Sequence, residues 1–109
     1  MKRLSILLLT IIALAGCSKP LPPEKLSYAG EWQSPEMYLL ILEDGTVAYK
    51  RLQNGGSTSI NGPLKEFVED DFVVGFGFLT TTFDVTQPPH EVQGTWTMVV
   101  DGVTLTRTP

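Results

Sequence analysis

The chain has 109 residues, with 12 acidic against 8 basic side chains and a formal net charge of −4. It therefore offers one domain with one modest core, and it lacks the clustered lysine and arginine with which nucleic-acid binders neutralise phosphates. A single cysteine and a single histidine exclude an internal disulfide and a multi-histidine metal site.

Lys2 and Arg3 precede an apolar run from Leu4 to Leu14, and Ala15 and Gly16 follow it. A basic pair, an apolar stretch and two small residues read as an export signal over residues 1–16. Residues 4–14 would cover about 16 Å as a helix, too short for a bilayer core of about 30 Å.

The tetrapeptide Leu14-Ala15-Gly16-Cys17 resembles the lipobox of bacterial lipoproteins. The resemblance implies cleavage between Gly16 and Cys17. It also implies a covalent diacylglyceryl and N-acyl lipid on Cys17, and no other cofactor is expected. Two or more acyl chains hold a protein firmly on its membrane. Ser18 stands where an aspartate would imply inner-membrane retention, so the family pattern implies a cell envelope location, on the outer membrane facing the periplasm. Without residues 1–16 the chain keeps 6 basic against 12 acidic side chains, a formal charge of −6.

Ser18 to Ser27 contains Pro20, Pro22 and Pro23. Proline donates no backbone hydrogen bond and favours extended, solvated chain, so residues 17–27 read as a lipidated cysteine and a Pro-rich tether. Such a tether would hold the domain about 30 Å off the membrane at about 3.1 Å per residue.

Residues 28–109 contain every aromatic side chain: Trp32 and Trp96, Tyr28, Tyr38 and Tyr49, and Phe67, Phe72, Phe76, Phe78 and Phe83. Turn dipeptides stand at Asp44-Gly45, Asn54-Gly55, Asn61-Gly62 and Asp101-Gly102. Such pairs tolerate the positive φ that two-residue hairpins require. The spacing predicts one hairpin from Met37–Leu42 with Thr46–Arg51, and a second from Trp96–Val100 with Val103–Arg107. In the second, Trp96, Met98 and Val100 share a face with Val103 and Leu105, while threonines take the other. Phe72, Val74, Phe76 and Phe78 also share a parity, and a second strand follows through Thr81, Phe83 and Val85, with a bend near Gly75 and Gly77. No convincing 3.6-residue period follows Cys17. The fold class is all-β: a small antiparallel β-barrel or sandwich of about seven to eight short strands, after the signal and tether.

Gly30-x-Trp32 near the domain start and Arg107 on the last strand resemble the calycin group that includes the lipocalins. The resemblance implies a barrel-end stack of Arg107 on Trp32, a contact between a cation and a π face. An unrelated small barrel or sandwich remains the alternative, because three residues do not define a fold. A faint echo of Gly30-Glu31-Trp32 recurs in Gly94-Thr95-Trp96.

A lipocalin-like barrel would imply a small apolar ligand, yet short strands this rich in aromatics fill their own interior. The candidate groove is at Gly75 and Gly77, where two side chains are missing; the other reading is that these glycines bend the sheet. His90, in Gln87-Pro88-Pro89-His90, reads as a solvated loop residue. Glu66, Glu69, Asp70 and Asp71 read as a charged turn, because they lack the spacing of a calcium loop. Gly55-Gly56 has no Gly-Lys-Ser or Gly-Lys-Thr to make a phosphate loop. Asn54–Ser59 reads as a flexible polar loop and Thr86–Glu91 as a stiffer one.

Without a convergent acid, base and nucleophile, the expectation is a non-catalytic envelope lipoprotein. Its domain would act by binding, as an accessory to a protein partner in the envelope. One alternative is an inhibitor of an envelope or foreign hydrolase, acting through a loop at 54–61 or 87–93. The other is a carrier of a small apolar ligand. No metal and no nucleic-acid partner are expected.

Overall fold

The computed structural model describes residues 19–109; the expected signal segment 1–16 and Cys17 lie outside the described residues. Nine strands occur among the described residues: β1 (Gly30–Gln33), β2 (Met37–Ile41), β3 (Thr46–Gln53), β4 (Gly56–Val68), β5 (Asp71–Phe76), β6 (Leu79–Phe83), β7 (Val85–Val92), β8 (Thr95–Val100) and β9 (Val103–Arg107). They form one antiparallel sheet in the order β6-β5-β4-β3-β2-β1-β9-β8-β7, curled into a half-barrel. The chain is thus all-β, as its alternation and turn residues require.

The strand number exceeds the expected seven to eight because two segments read as loops are strands. Ser57, Thr58 and Ser59 pair with Leu52, Arg51 and Lys50, so 54–59 is a turn followed by the start of β4. Strand pairing uses backbone groups, and polar side chains do not prevent it where both faces are wet. Residues 86–91 lie in β7, an edge strand whose register against β8 shifts between Gln87 and His90. An edge position and a bulge are the two places where a sheet accepts proline, and Pro88 and Pro89 sit there.

The two hairpins expected from the sequence are present as β2–β3 and β8–β9. Asp101 and Gly102 have φ of 49° and 79°, the paired positive values of a two-residue loop. Asp44-Gly45 differs: Leu42 N–H donates to the Thr46 carbonyl at 2.9 Å and Gly45 N–H to the Leu42 carbonyl at 3.0 Å, making a three-residue loop. Asn61-Gly62 makes no turn, since both residues pair with β3 inside β4. Just beyond them, β4 leaves β3 at Pro63 and meets β5 from Leu64 onward.

Alternation decides the core. β2 buries Met37, Leu39 and Ile41, β8 buries Met98 and Val100, and β9 buries Val103 and Leu105. Phe72 and Phe83 stack in the interior with ring centroids 4.9 Å apart, and Tyr49 meets Phe83 edge-on at 4.8 Å. These rings pack with Trp32, Leu39, Met98 and Leu105 in one buried cluster.

The Pro-rich segment lies against the sheet from Lys19 onward, and this corrects the expected extended tether. Leu21 is only 6% exposed and its N–H donates to the Glu43 carbonyl at 2.9 Å. Pro23–Tyr28 form a 3-10 helix, with proline at a position where no N–H is needed. Tyr28 is buried against Phe67 and Phe72, its hydroxyl donating to the Asp70 carbonyl at 2.8 Å. Burying Leu21 and Tyr28 outweighs the solvated, extended preference that the prolines alone express.

Candidate functional site

Arg107 and Trp32 meet. They are cross-strand partners on β9 and β1, and the guanidinium carbon lies 5.7 Å from the Trp32 ring centre. A third residue completes the arrangement: Trp96 on β8 takes the other contact with Arg107, at 4.8 Å. Trp32 is fully buried and its Nε1–H donates to the Tyr28 carbonyl at 2.9 Å. Arg107 Nη1 reaches the Ala29 carbonyl at 3.4 Å. Gly30 is required beneath this stack. Its φ is +142°, and a Cβ there would stand 2.6 Å from Arg107 Cδ. The glycine leaves the path along which the arginine stem crosses the strand. This cluster locks β1, β8 and β9 together at one end of the sheet.

At Gly75 the expected groove is closed, whereas a Cβ on Gly77 would meet nothing within 4 Å. A Cβ on Gly75, whose φ is +139°, would collide with the Leu79 carbonyl oxygen and come within 2.9 Å of Thr80 Cα. The missing side chain is thus the space that the returning strand β6 occupies. Gly77 has φ +54° and stands at the first position of the two-residue turn Gly77-Phe78, where a type II′ hairpin uses glycine. The turn comes before the expected parity is exhausted. Phe72 and Val74 enter the core, whereas Phe76 and Phe78 are 64% and 91% exposed.

The resulting hairpin tip is the feature that the alternation concealed. Phe76, Phe78 and Leu79, the last 72% exposed, stand together in solvent, and no charged residue occurs from Phe72 to Phe83. Single exposed apolar residues are ordinary, whereas a contiguous group marks an interaction surface. The available signal was Gly77 between two phenylalanines, a two-residue turn in place of a bulge.

His90, expected in a solvated loop, is partly buried on β7 opposite Thr97. Glu69 and Asp70 form the charged turn between β4 and β5, Glu69 having φ +57°. Asp71 Oδ1 accepts the Val85 N–H at 2.7 Å, joining the starts of β5 and β7. Lys25 Nζ donates to the Glu69 carbonyl at 2.7 Å, lies 3.9 Å from the Asp70 carboxylate, and faces the Phe67 ring at 5.1 Å. Burial, with the nearby Asp70 and Asp71 charges, pushes the Tyr28 hydroxyl up to about 12. The Tyr38 hydroxyl is also raised, first by its 2.8 Å hydrogen bond to the Glu31 carboxylate. Among the described residues, no group of three His, Cys, Asp or Glu side chains could hold a metal ion.

The described residues also frame open depressions. One lies between the β1–β2 turn and β3, lined by Gln33, Pro35, Met37, Tyr38 and Leu52. Another connects the first described residues to β4 and includes Lys19, Leu21, Leu64, Lys65 and Phe67. The fold and its surfaces define a small all-β domain with a filled core and one apolar hairpin tip. No protein-family model matches the chain, and neither the curated proteins nor the solved structures compared with it give a match.

Proposed function

We propose that this chain is a lipid-anchored envelope protein, held through Cys17, whose β-domain acts by binding a protein partner as an accessory component. The observation that carries the binding role is the filled interior. Trp32, Leu39, Phe72, Phe83, Met98 and Leu105 occupy the space where a ligand carrier would hold its ligand, which favours recognition at the surface. The lipobox-like Leu14-Ala15-Gly16-Cys17 supports the anchor, and Ser18 favours the outer membrane facing the periplasm.

Affinity purification of the intact protein from crosslinked, detergent-solubilised membranes is the test. A single stoichiometric envelope partner is the expected result, and repeated recovery of the bare chain overturns the accessory role. Metabolic labelling with palmitate tests the anchor separately, and an unlabelled protein overturns it.

The β3–β4 and β7–β8 hairpins support a second reading, inhibition of an envelope or foreign hydrolase. Both turn at residue pairs with positive φ, Asn54-Gly55 and Gln93-Gly94, and are paired up to those turns. Paired hairpins present a binding edge with little ordering entropy to lose. Hydrolase panels that show no loss of activity at micromolar protein eliminate this reading.

A further inference from the structure

We infer that the β5–β6 hairpin tip is a second membrane contact, dipping Phe76, Phe78 and Leu79 into the lipid surface that carries the anchor. The inference rests on the anchoring through Cys17 proposed above.

Position on the chain identifies the occupant. Lys19 is two residues from Cys17, so their Cα atoms lie within about 7 Å, whatever conformation joins them. Lys19 is itself held on the domain: its carbonyl lies against Gly45, where a Cβ would collide with it, and Leu21 is buried beside it. Only Ser18 therefore separates the first packed residue from the cysteine proposed to bear the lipid. The bilayer surface must lie next to the end of the sheet where Lys19 sits.

That end leads to the apolar tip. Lys19 and Lys65 line one depression, and Lys65 Nζ donates to the Gly77 carbonyl at 2.8 Å. The hairpin turn is thus fastened to the same wall of the domain from which the chain runs to the anchor.

The chemistry of the tip matches an interface. Two phenylalanines and a leucine at a turn can enter the boundary between headgroups and acyl chains without opening any backbone pairing, because Phe76 and Leu79 pair with each other. Lys65 places its ammonium group beside the turn, where a long side chain reaches anionic headgroups while its stem stays in the apolar zone. The domain as a whole is acidic and would be repelled by such a surface, so contact is confined to this corner. Anchor and tip together would fix the orientation of the domain on the membrane, presenting the remaining surface to a partner.

The test uses the full-length, lipidated protein reconstituted in phosphatidylethanolamine and phosphatidylglycerol vesicles, with or without brominated acyl chains. Phe78→Trp adds a reporter at the tip, and Leu52→Trp and Val92→Trp add reporters at exposed sites elsewhere. Wild-type emission from Trp32 and Trp96 is subtracted. The expected result is a blue-shifted tip signal that loses most of its intensity in brominated vesicles while the other two reporters do not change. An unquenched tip, in protein whose intact mass carries the lipid on Cys17, overturns the second contact and leaves the anchor standing. An intact mass without that lipid overturns the anchor and, with it, this inference.

Discussion

Replacing Gly30 by alanine tests whether the Trp32–Arg107–Trp96 stack holds this end of the sheet. The new Cβ has two consequences that can be separated. It forces a side-chain-bearing residue to keep φ near +142°, and it enters the volume of Arg107 Cδ, 2.6 Å away. Backbone strain of this kind costs about 1–3 kcal/mol. Displacing the guanidinium from its two rings removes about 1 kcal/mol more, for a total of about 2–4 kcal/mol. A domain of this size would then lose about 4–8 °C of melting temperature per kcal/mol. Urea titration followed by Trp32 and Trp96 emission measures the total, and Arg107→Ala supplies the second arm of a double-mutant cycle. In the Arg107→Ala background, Gly30→Ala should cost about 1 kcal/mol less than in the wild type, because the collision is gone and only the strain remains. Equal costs in the two backgrounds would refute the claim that the glycine is there to let the arginine pass.

Three further expectations follow from burial and charge. Phe72→Ala should destabilise by about 3–5 kcal/mol, whereas Phe78→Ser should stay within about 0.5 kcal/mol of the wild type, because only the first ring is in the core; chemical denaturation of the two variants reverses the assignment if the order is inverted. Leu21→Ala should cost about 2 kcal/mol or more if the Pro-rich segment is packed as described, and a variant as stable as the wild type would show that this segment is free. The folded-state value of Tyr28 is raised from 10.0 to about 12, so its contribution to stability is complete below pH 10 and fades as pH rises toward 12. Tyr28→Phe should flatten the stability profile in that window, and an unchanged alkaline profile would contradict the buried, proton-retaining hydroxyl.

The sequence made particular elements legible because their signals are local. Asp101-Gly102 between two alternating runs specified β8–β9 with its buried face, and Arg107 shared the parity of Val103 and Leu105 that brings it over Trp32. The contribution of Trp96 was less visible, since it depends on β8 lying beside β9 and on which face of the guanidinium remains free. The polar run 56–59 and the proline-bearing run 86–91 lack apolar alternation, so nothing local announced that their backbones are paired. The tip of β5–β6 was misread for the opposite reason: alternation continued through Phe76 and Phe78, but the chain had already left the body of the sheet.

Alternating side chains and turn dipeptides are short-range properties. By themselves they determined an all-β fold and most of its inward-facing residues. Which strands lie at the edges, where the aromatic run reverses at Gly77, and that Leu21 and Tyr28 draw a proline-rich segment onto the domain were decided only in three dimensions. Each depends on how much apolar surface a distant strand covers, and the burial available to Phe72 and denied to Phe78 is not written in either residue's neighbours.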